Sequence, residues 1–225
     1  MPQELLNLKS LKAQVYDYLR EQLRFGTLKP GSLINTEETA AKLGVSRTPL
    51  RDALIQLEKE DFVSIIPRRG VIVRPLTLRD IAEYYQIIGA LECAAVLLSF
   101  EKIDPDRITE LRGHIAEMKR ALEDDDFDRY YRINLRFHDT YLQACRNRKL
   151  VEIVTTLKSR LYDFPRKKEF VKEWELRSIR EHERFVGLLA EGRVSEAAEY
   201  VRDVHWSYSV QEPYIRQYYG SAPES

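Results

Sequence analysis

The spacing of apolar residues changes once along the chain, near residue 75. Before that point, short stretches of helical spacing alternate with two β-rich runs. After it, apolar residues recur three and four positions apart in one segment after another. The pattern predicts a mainly α protein with two domains, a small mixed domain over residues 8–75 and an all-helical domain over residues 77–218.

Three helices are predicted in the first domain. The first, with its apolar face from Leu11 to Leu23, ends before Gly26, and the second is capped by Asn35 and closed after about two turns by Gly44. The third helix begins at once. Two short helices joined by such a tight turn are typical of a helix-turn-helix.

Two β-rich runs follow the third helix, over residues 62–66 and 71–73, on either side of the sequence PRRG. They predict a hairpin whose tip carries Arg68 and Arg69. A helix-turn-helix that is followed by a basic hairpin is a winged helix-turn-helix. The first domain is therefore predicted to have this fold.

The third helix presents arginines near its N-terminus. Arg47 and Arg51 are four positions apart and project from one side, while leucines occupy the other side. The planar fork of arginine fits a guanine edge in the major groove, and Ser46 and Thr48 can bind phosphate from the same end. The basic hairpin tip would reach neighbouring phosphates or the minor groove. The alternative interpretation is a solvated amphipathic helix with ordinary surface arginines.

Six helical segments are predicted in the second domain. Their ranges are 78–102, 105–123, 127–146, 150–164, 169–191 and 195–218. The connectors are short, so consecutive helices are expected to pack antiparallel in a bundle.

Three of the four histidines in the chain lie on the apolar stripes of three different predicted helices. These are His138, His182 and His205, and Asn134 shares a helix face with His138. Imidazole nitrogens and an amide oxygen can bind one ion together. The pattern favours a shared polar or metal centre, and the alternative is three unrelated core histidines. His114 is expected to be a half-exposed helix residue.

Composition adds an asymmetry and a location. The net charge is zero, but residues 1–75 hold 12 Lys and Arg against 9 Asp and Glu. A basic first third suggests a partner different from that of the remainder.

Cys93 and Cys145 stand alone in helical patterns and are expected to be buried reduced thiols. No apolar run is expected to be long enough to cross a bilayer, and the sequence shows no export signal, so a cytoplasmic protein is expected.

The sequence SRTPLRDALIQLEKEDFV, with PRRGVIV after it, resembles the winged helix-turn-helix of GntR-type bacterial transcription regulators. Residues 77–210 resemble the all-helical effector domain of the FadR subgroup, called FCD. The resemblance implies a regulator that is not an enzyme. It also implies that Arg47, Thr48 and Arg51, with Gly70 in the wing, contact operator DNA.

The resemblance further implies a metal centre formed by Asn134, His138, His182 and His205. The first of these positions is usually aspartate in the family, so the amide keeps an oxygen ligand but lacks its negative charge. Ile88 stands where several relatives have an arginine that faces the effector pocket. The expected cofactor is a divalent ion such as zinc, nickel or manganese, and the expected effector is a small molecule, with a carboxylate as one class.

Homodimerisation is expected because one short recognition helix contacts few base pairs, whereas paired helices read palindromic double-stranded DNA. Effector binding between helices would reach the DNA-reading domain through the linker at residues 74–77. Two alternatives stay open. One is a regulator that binds its ligand without a metal. The other is a metal-dependent hydrolase with Glu181 or Glu183 as base, although both are expected to point sideways from the inward His182.

Overall fold

The structure is a computed structural model, and it describes residues 9–162 and 171–220. The chain divides into two compact units. The first holds the described residues up to Leu76 together with those from Ser159 to Tyr162. The second holds Thr77–Lys158 and the described residues from Val171 onwards.

The first unit combines three helices with a small antiparallel sheet. The helices are α1 (Leu11–Arg24), α2 (Thr36–Leu43) and α3 (Arg47–Lys59), and the strands are β1 (Leu33–Ile34), β2 (Val63–Ile66) and β3 (Gly70–Val73). The sheet has the order β1-β3-β2. The hairpin of β2 and β3 agrees with the sequence pattern, whereas β1 was not predicted because a strand of two residues is too short to show alternation.

Local signals set the ends of the short helices. The side chain of Asn35 accepts a hydrogen bond of 3.1 Å from the backbone amide of Glu38, and Gly44 ends α2 with a φ of 62°. Ser46 occupies the N-cap position of α3 but makes no capping bond. The inward face of α1 begins at Val15, because Leu11 is 58% exposed. Helices α1 and α3 pack on each other and form the core of the unit.

The second unit is helical throughout its described residues. Its elements are α4 (Leu78–Ser99) with a 3-10 turn (Phe100–Lys102), α5 (Pro105–Glu123), α6 (Phe127–Ala144), α7 (Arg148–Tyr162), α8 (Lys172–Ala190), α9 (Val194–Tyr200), a π turn (Val201–His205) and α10 (Tyr208–Tyr219). The residues of α7 from Ser159 onwards count with the first unit. Helix α5 packs on α6 and α8, while α4 packs on α6, α9 and the π turn.

The last predicted helix, over residues 195–218, is not continuous. It consists of α9, the π turn and α10, with a break at Trp206 and Ser207. Side-chain contacts accompany the break, since the Trp206 indole donates to Glu92 and the Gln211 amide donates to the carbonyl of Val204. Periodicity alone cannot show such contacts. The predicted ends of two other helices, at residues 163–164 and 169–170, lie outside the described residues.

Helix α4 with its 3-10 turn is, by length and composition, apolar enough to cross a membrane. The expectation that no run was long enough is therefore wrong by this criterion. The criterion is also met by core helices of proteins outside membranes, and the inward face of α4 is buried, with Ile81, Ile88 and Val96 all at 0% exposure.

The two cysteines have the environment that the sequence suggested, whereas His114 is less exposed than expected. Cys93 and Cys145 are buried and form no disulfide. The side chain of His114 is 17% exposed and lies 3.7 Å from the carboxylate of Glu110.

Candidate metal centre and DNA-reading surface

Three imidazoles from three elements meet inside the helical unit. His138 comes from α6, His182 from α8 and His205 from the end of the π turn. One candidate ligand atom from each lies within 4.8 Å of the others. The ring of His182 lies 5.3 Å from that of His138 and 4.8 Å from that of His205, measured between centroids. Residues up to 67 positions apart in sequence are thus brought to one point.

Several buried polar atoms of α6 and α8 have no hydrogen-bond partner among the described residues. They are Oδ1 of Asn134, Nε2 of His138 and both ring nitrogens of His182, all of them buried. Burying a polar atom without a partner costs about 1–3 kcal/mol. Nitrogen and oxygen atoms that converge without partners are the donor set of a transition metal ion. The residues present therefore fit a divalent metal.

Two of the imidazoles are held by carboxylates through Nδ1. His138 Nδ1 lies 3.0 Å from Glu92 Oε2 and 2.6 Å from the Tyr141 hydroxyl oxygen. His205 Nδ1 lies 2.9 Å from Glu181 Oε2. In both rings the other nitrogen, Nε2, is left for a ligand.

The electrostatics keep the buried imidazoles neutral. Burial, with the nearby Lys158 ammonium, lowers the pKa of His138 to about 4. Burial and the neighbouring imidazoles lower the pKa of His182 well below its usual value. A histidine binds a metal only in its neutral form, so both rings are ready to bind an ion at neutral pH.

Sequence reasoning missed Glu92, which is 0% exposed. Its Oε2 accepts hydrogen bonds from the Tyr141 hydroxyl at 2.5 Å and from the Trp206 indole at 2.8 Å, and its Oε1 is paired with the Lys158 ammonium. The sequence did contain a signal for Glu92, because it places a carboxylate on the apolar face of α4 between Ile88 and Val96. A buried charge is costly without a partner, so such a residue predicts a buried ion pair or polar cluster.

The expectation for the two glutamates beside His182 is wrong for one of them. Glu183 does point outwards and pairs with Lys119 at 2.6 Å. Glu181 is only 5% exposed and reaches the cluster through His205. The sequence could not show this, because His205 approaches from a different element.

The π turn places His205 at the cluster. Such turns insert one residue into a helix and are frequent at functional sites. Helix α4 passes close to the turn at Gly89, where an added Cβ would lie 3.1 Å from Trp206 Cβ and 3.5 Å from the carbonyl oxygen of Arg202.

In the first unit, the predicted DNA-reading residues lie on exposed surface. The side chains of Ser46, Arg47, Thr48 and Arg51 are exposed on α3. Arg47 forms an ion pair of 2.9 Å with Glu37, and both side chains are more than three-quarters exposed, at 86% and 78%.

The hairpin tip carries the other predicted DNA contacts. Arg68 and Arg69 are exposed there, and Arg68 has a φ of 63°. Gly70 has a φ of 101°, and a Cβ on it would lie 3.2 Å from the side chain of Leu33. Both its conformation and its close approach to β1 therefore favour glycine.

Comparison with known families agrees with this architecture. The model of the FCD domain matches residues 83–204, and the model of the bacterial regulatory proteins, gntR family, matches residues 11–73. The chain belongs to the GntR family of bacterial regulatory proteins. This confirms the resemblance and the mainly α fold class, and the family is one of regulatory proteins and not of enzymes.

Individual GntR-family relatives share part of the chain. It is 33% identical over 142 residues to the uncharacterized HTH-type transcriptional regulator YdhC of Bacillus subtilis, covering 63% of each chain. It is 34% identical over 128 residues to the HTH-type transcriptional regulator McbR of Escherichia coli, covering 57% of this chain and 58% of that one. The matches thus span about three-fifths of these relatives.

Solved structures extend the likeness to nearly the whole chain. The structure of E. coli McbR/YncC matches with a TM-score of 0.67 at 25% identity, over 95% of this chain and 99% of that one. A putative GntR regulator from Rhodococcus sp. RHA1 has the same fold, with a TM-score of 0.66 at 22% identity, over 91% and 97% of the two chains.

Proposed function

We propose that this GntR-family regulator binds operator DNA through its first domain and senses a small metabolite through a divalent metal in its second. The metal ligands in this proposal are Asn134, His138, His182 and His205. The observation that carries the proposal is the convergence of unpartnered buried ligand atoms from α6 and α8 beside His205. We take the domains to be residues 8–75 and 77–218.

The donor set fits zinc, nickel or manganese. Three imidazoles and one amide oxygen would fill about four positions of the ion's shell, and an ion that takes more than four ligands would keep positions open. A bound ion would offer these positions to an oxygen-bearing effector such as a carboxylate. Because Asn134 carries no charge, the protein ligands do not neutralise the ion, and this favours an anionic effector.

The DNA-reading surface consists of exposed side chains on α3 and at the hairpin tip. The proposed contacts are Ser46, Arg47, Thr48, Arg51, Arg68, Arg69 and Gly70. The ion pair of Arg47 with Glu37 is no obstacle, because exposed pairs contribute at most about 1 kcal/mol and can be exchanged for DNA contacts. The basic first third of the chain supports the same surface.

A homodimer that reads a palindromic operator is part of the proposal. Helix α4 supports it, because an apolar stripe runs along its outer face while its inner face is buried. Ile87 is 44% exposed, and Leu97 and Leu98 are each 51% exposed. In an antiparallel pair of α4 helices, Arg79 and Glu83 at one end would face Glu101 and Lys102 of the second copy. Each end carries one positive and one negative charge, so the pairing brings no excess of like charge together. We place this dimer in the cytoplasm, where operator DNA lies.

The hydrolase alternative receives no support from the geometry. Glu181 is already bound by His205, Arg177 and Gln211, and Glu183 pairs with Lys119 on the surface. The metal-free regulator is the second candidate, since the same four side chains could grip an organic ligand directly.

The decisive experiment is the metal content of the purified protein by elemental mass spectrometry. We expect about one divalent ion per chain in the parent protein, as expected for one four-ligand site, and little in His182→Ala. His114→Ala is the matched control and should keep the ion, because His114 lies away from the cluster. If the parent takes up no ion even after incubation with zinc, nickel and manganese, the metal-free regulator replaces the proposal.

Operator binding is tested by selection from genomic DNA fragments, with and without metabolite extract. Arg51→Ala should weaken binding to the selected site by about 1–3 kcal/mol, the cost of a lost bidentate base contact. Arg148→Ala, which removes an exposed arginine of α7, should bind like the parent. A failure to enrich any sequence would contradict the DNA-reading role.

A further inference from the structure

Each of two buried carboxylates is bonded to one imidazole of the cluster, always at Nδ1. Glu92 on α4 contacts His138, and Glu181 on α8 contacts His205. Neither carboxylate belongs to the proposed ligand set. A metal-binding histidine commonly donates its second N–H to such a group, which fixes the tautomer and turns the ring towards the ion.

We infer that Glu92 and Glu181 are positioning residues, which hold His138 and His205 in the Nδ1–H tautomer and so present Nε2 to a metal ion. The inference rests on the proposed metal site and deepens it. The carboxylates act on the imidazoles whether or not an ion is bound, so the two tautomers should be fixed in the metal-free protein too.

The neighbours of Glu92 show that its carboxylate is an acceptor. Its Oε1 is paired with the Lys158 ammonium. The Trp206 indole can only donate, and it donates to Oε2. The Tyr141 hydroxyl donates its one proton to the same oxygen, at 2.5 Å. His138 Nδ1 is therefore left to donate.

The neighbours of Glu181 lead to the same result for His205. The Arg177 guanidinium donates to Oε1 at 2.8 Å. The Gln211 side-chain amide nitrogen donates to both oxygens, at 3.0 and 3.2 Å. The orientation of that amide is fixed, because its oxygen accepts from the Trp174 indole at 2.9 Å. Glu181 is thus surrounded by donors, and His205 Nδ1 joins them as another.

His182 differs from the other two imidazoles. Neither of its nitrogens has a hydrogen-bond partner in the described part of the chain, and its ring lies 4.1 Å from the Phe137 ring, measured between centroids. Packing therefore places this ring, but no carboxylate sets its tautomer. The inference predicts two imidazoles of fixed tautomer and one that is free to adopt either.

The test replaces each carboxylate by its amide. In Glu92→Gln, the amide NH₂ can donate to Nδ1 of His138, so the ring proton moves to Nε2, where it competes with the metal. We expect zinc affinity, measured by competition with a chelating dye, to fall about 10–100-fold, as is typical when such a partner is lost. Glu181→Gln should act in the same way on His205. Glu152→Gln, an exposed glutamate of α7, is the control and should bind zinc like the parent.

Glu92→Gln leaves the Lys158 ammonium without its carboxylate, which could unfold the protein. The double variant Glu92→Gln with Lys158→Met removes both charges and separates positioning from folding. Circular dichroism establishes that each variant is folded before its affinity is measured. Zinc affinity equal to that of the parent in folded Glu181→Gln and in the folded double variant overturns the inference.

A second readout needs no metal. Nitrogen NMR of the metal-free protein, labelled at histidine, should show two rings protonated at Nδ1, and one of them should change tautomer in each amide variant. If these rings are protonated at Nε2 in the parent, the inference is overturned. If they are protonated at Nδ1 but the parent binds no ion, the positioning stands and the proposed metal function fails.

Discussion

Gly89 is a position at which the fold leaves too little space for one further carbon atom. Gly89 lies on α4 beside the π turn. A Cβ added to it would lie 3.1 Å from Trp206 Cβ, which is a few tenths of an ångström closer than an ordinary contact. Gly113 on α5 faces open space, because no atom lies within 4 Å of the position that a Cβ would take. The two glycines therefore occupy helix interiors with opposite surroundings.

We predict opposite effects of alanine at these two glycines. Gly113→Ala should raise the free energy of unfolding by up to about 1 kcal/mol, the difference in helix propensity. Gly89→Ala should lower it by about 1–3 kcal/mol, since Trp206 and the π turn must move. Urea denaturation of the full chain measures both. Equal stabilisation by the two substitutions would mean that the turn yields without cost.

At this scale the sequence predicted the histidine cluster but not the carboxylates that are bonded to it. His138, His182 and His205 stood out because imidazoles on apolar helix faces are chemically unusual, and Asn134 stood out by its spacing. The roles of Glu92 and Glu181 depend on Tyr141, Trp206 and Gln211, which come from other elements. Such partners follow from tertiary packing, which periodicity along one helix does not contain.

The helix ends show which signals act locally. Asn35 and Ser46 were both predicted to be N-caps, and both hold that position. Only Asn35 makes the capping bond, to the amide of Glu38. The position of a cap could thus be predicted from residue type, whereas the bond depends on a side-chain torsion that residue type leaves open.

The two caps predict different effects on stability. Asn35→Ala should lower the free energy of unfolding by about 1 kcal/mol, the usual cost of losing an N-cap. Ser46→Ala should change it by no more than a few tenths of a kcal/mol, since no bond is lost. Thermal and chemical denaturation compare the two variants. An equal loss in Ser46→Ala would show that its hydroxyl caps α3 in solution.

For the molecule as a whole, the domain order and the helical bundle could be predicted because periodicity and turn residues are local. The break between α9 and α10 could not, because it coincides with contacts to Glu92 and Val204. The outward apolar stripe of α4 was also missed, since a helix that is apolar all round gives no sign of which face the fold leaves exposed.

The stripe predicts the oligomeric state. Leu97→Glu should convert the proposed dimer to a monomer, because a carboxylate would be buried between two α4 helices without a partner. Leu176→Glu is the control, since Leu176 is an exposed leucine of α8, at 42%, outside the stripe. Sedimentation velocity of both variants at equal concentration decides. A dimer that survives Leu97→Glu would place the interface on another face.

The histidines of the cluster lie far apart along the chain, so their distance from one another reports whether the helices are packed. Because His138, His182 and His205 come together only when α6, α8 and the π turn are packed, a partly folded chain with intact helices but loose packing would hold the proposed ion poorly. Far-ultraviolet circular dichroism hardly distinguishes such a state from the native one. Metal retention would distinguish it, and could therefore serve as a quality assay for recombinant preparations.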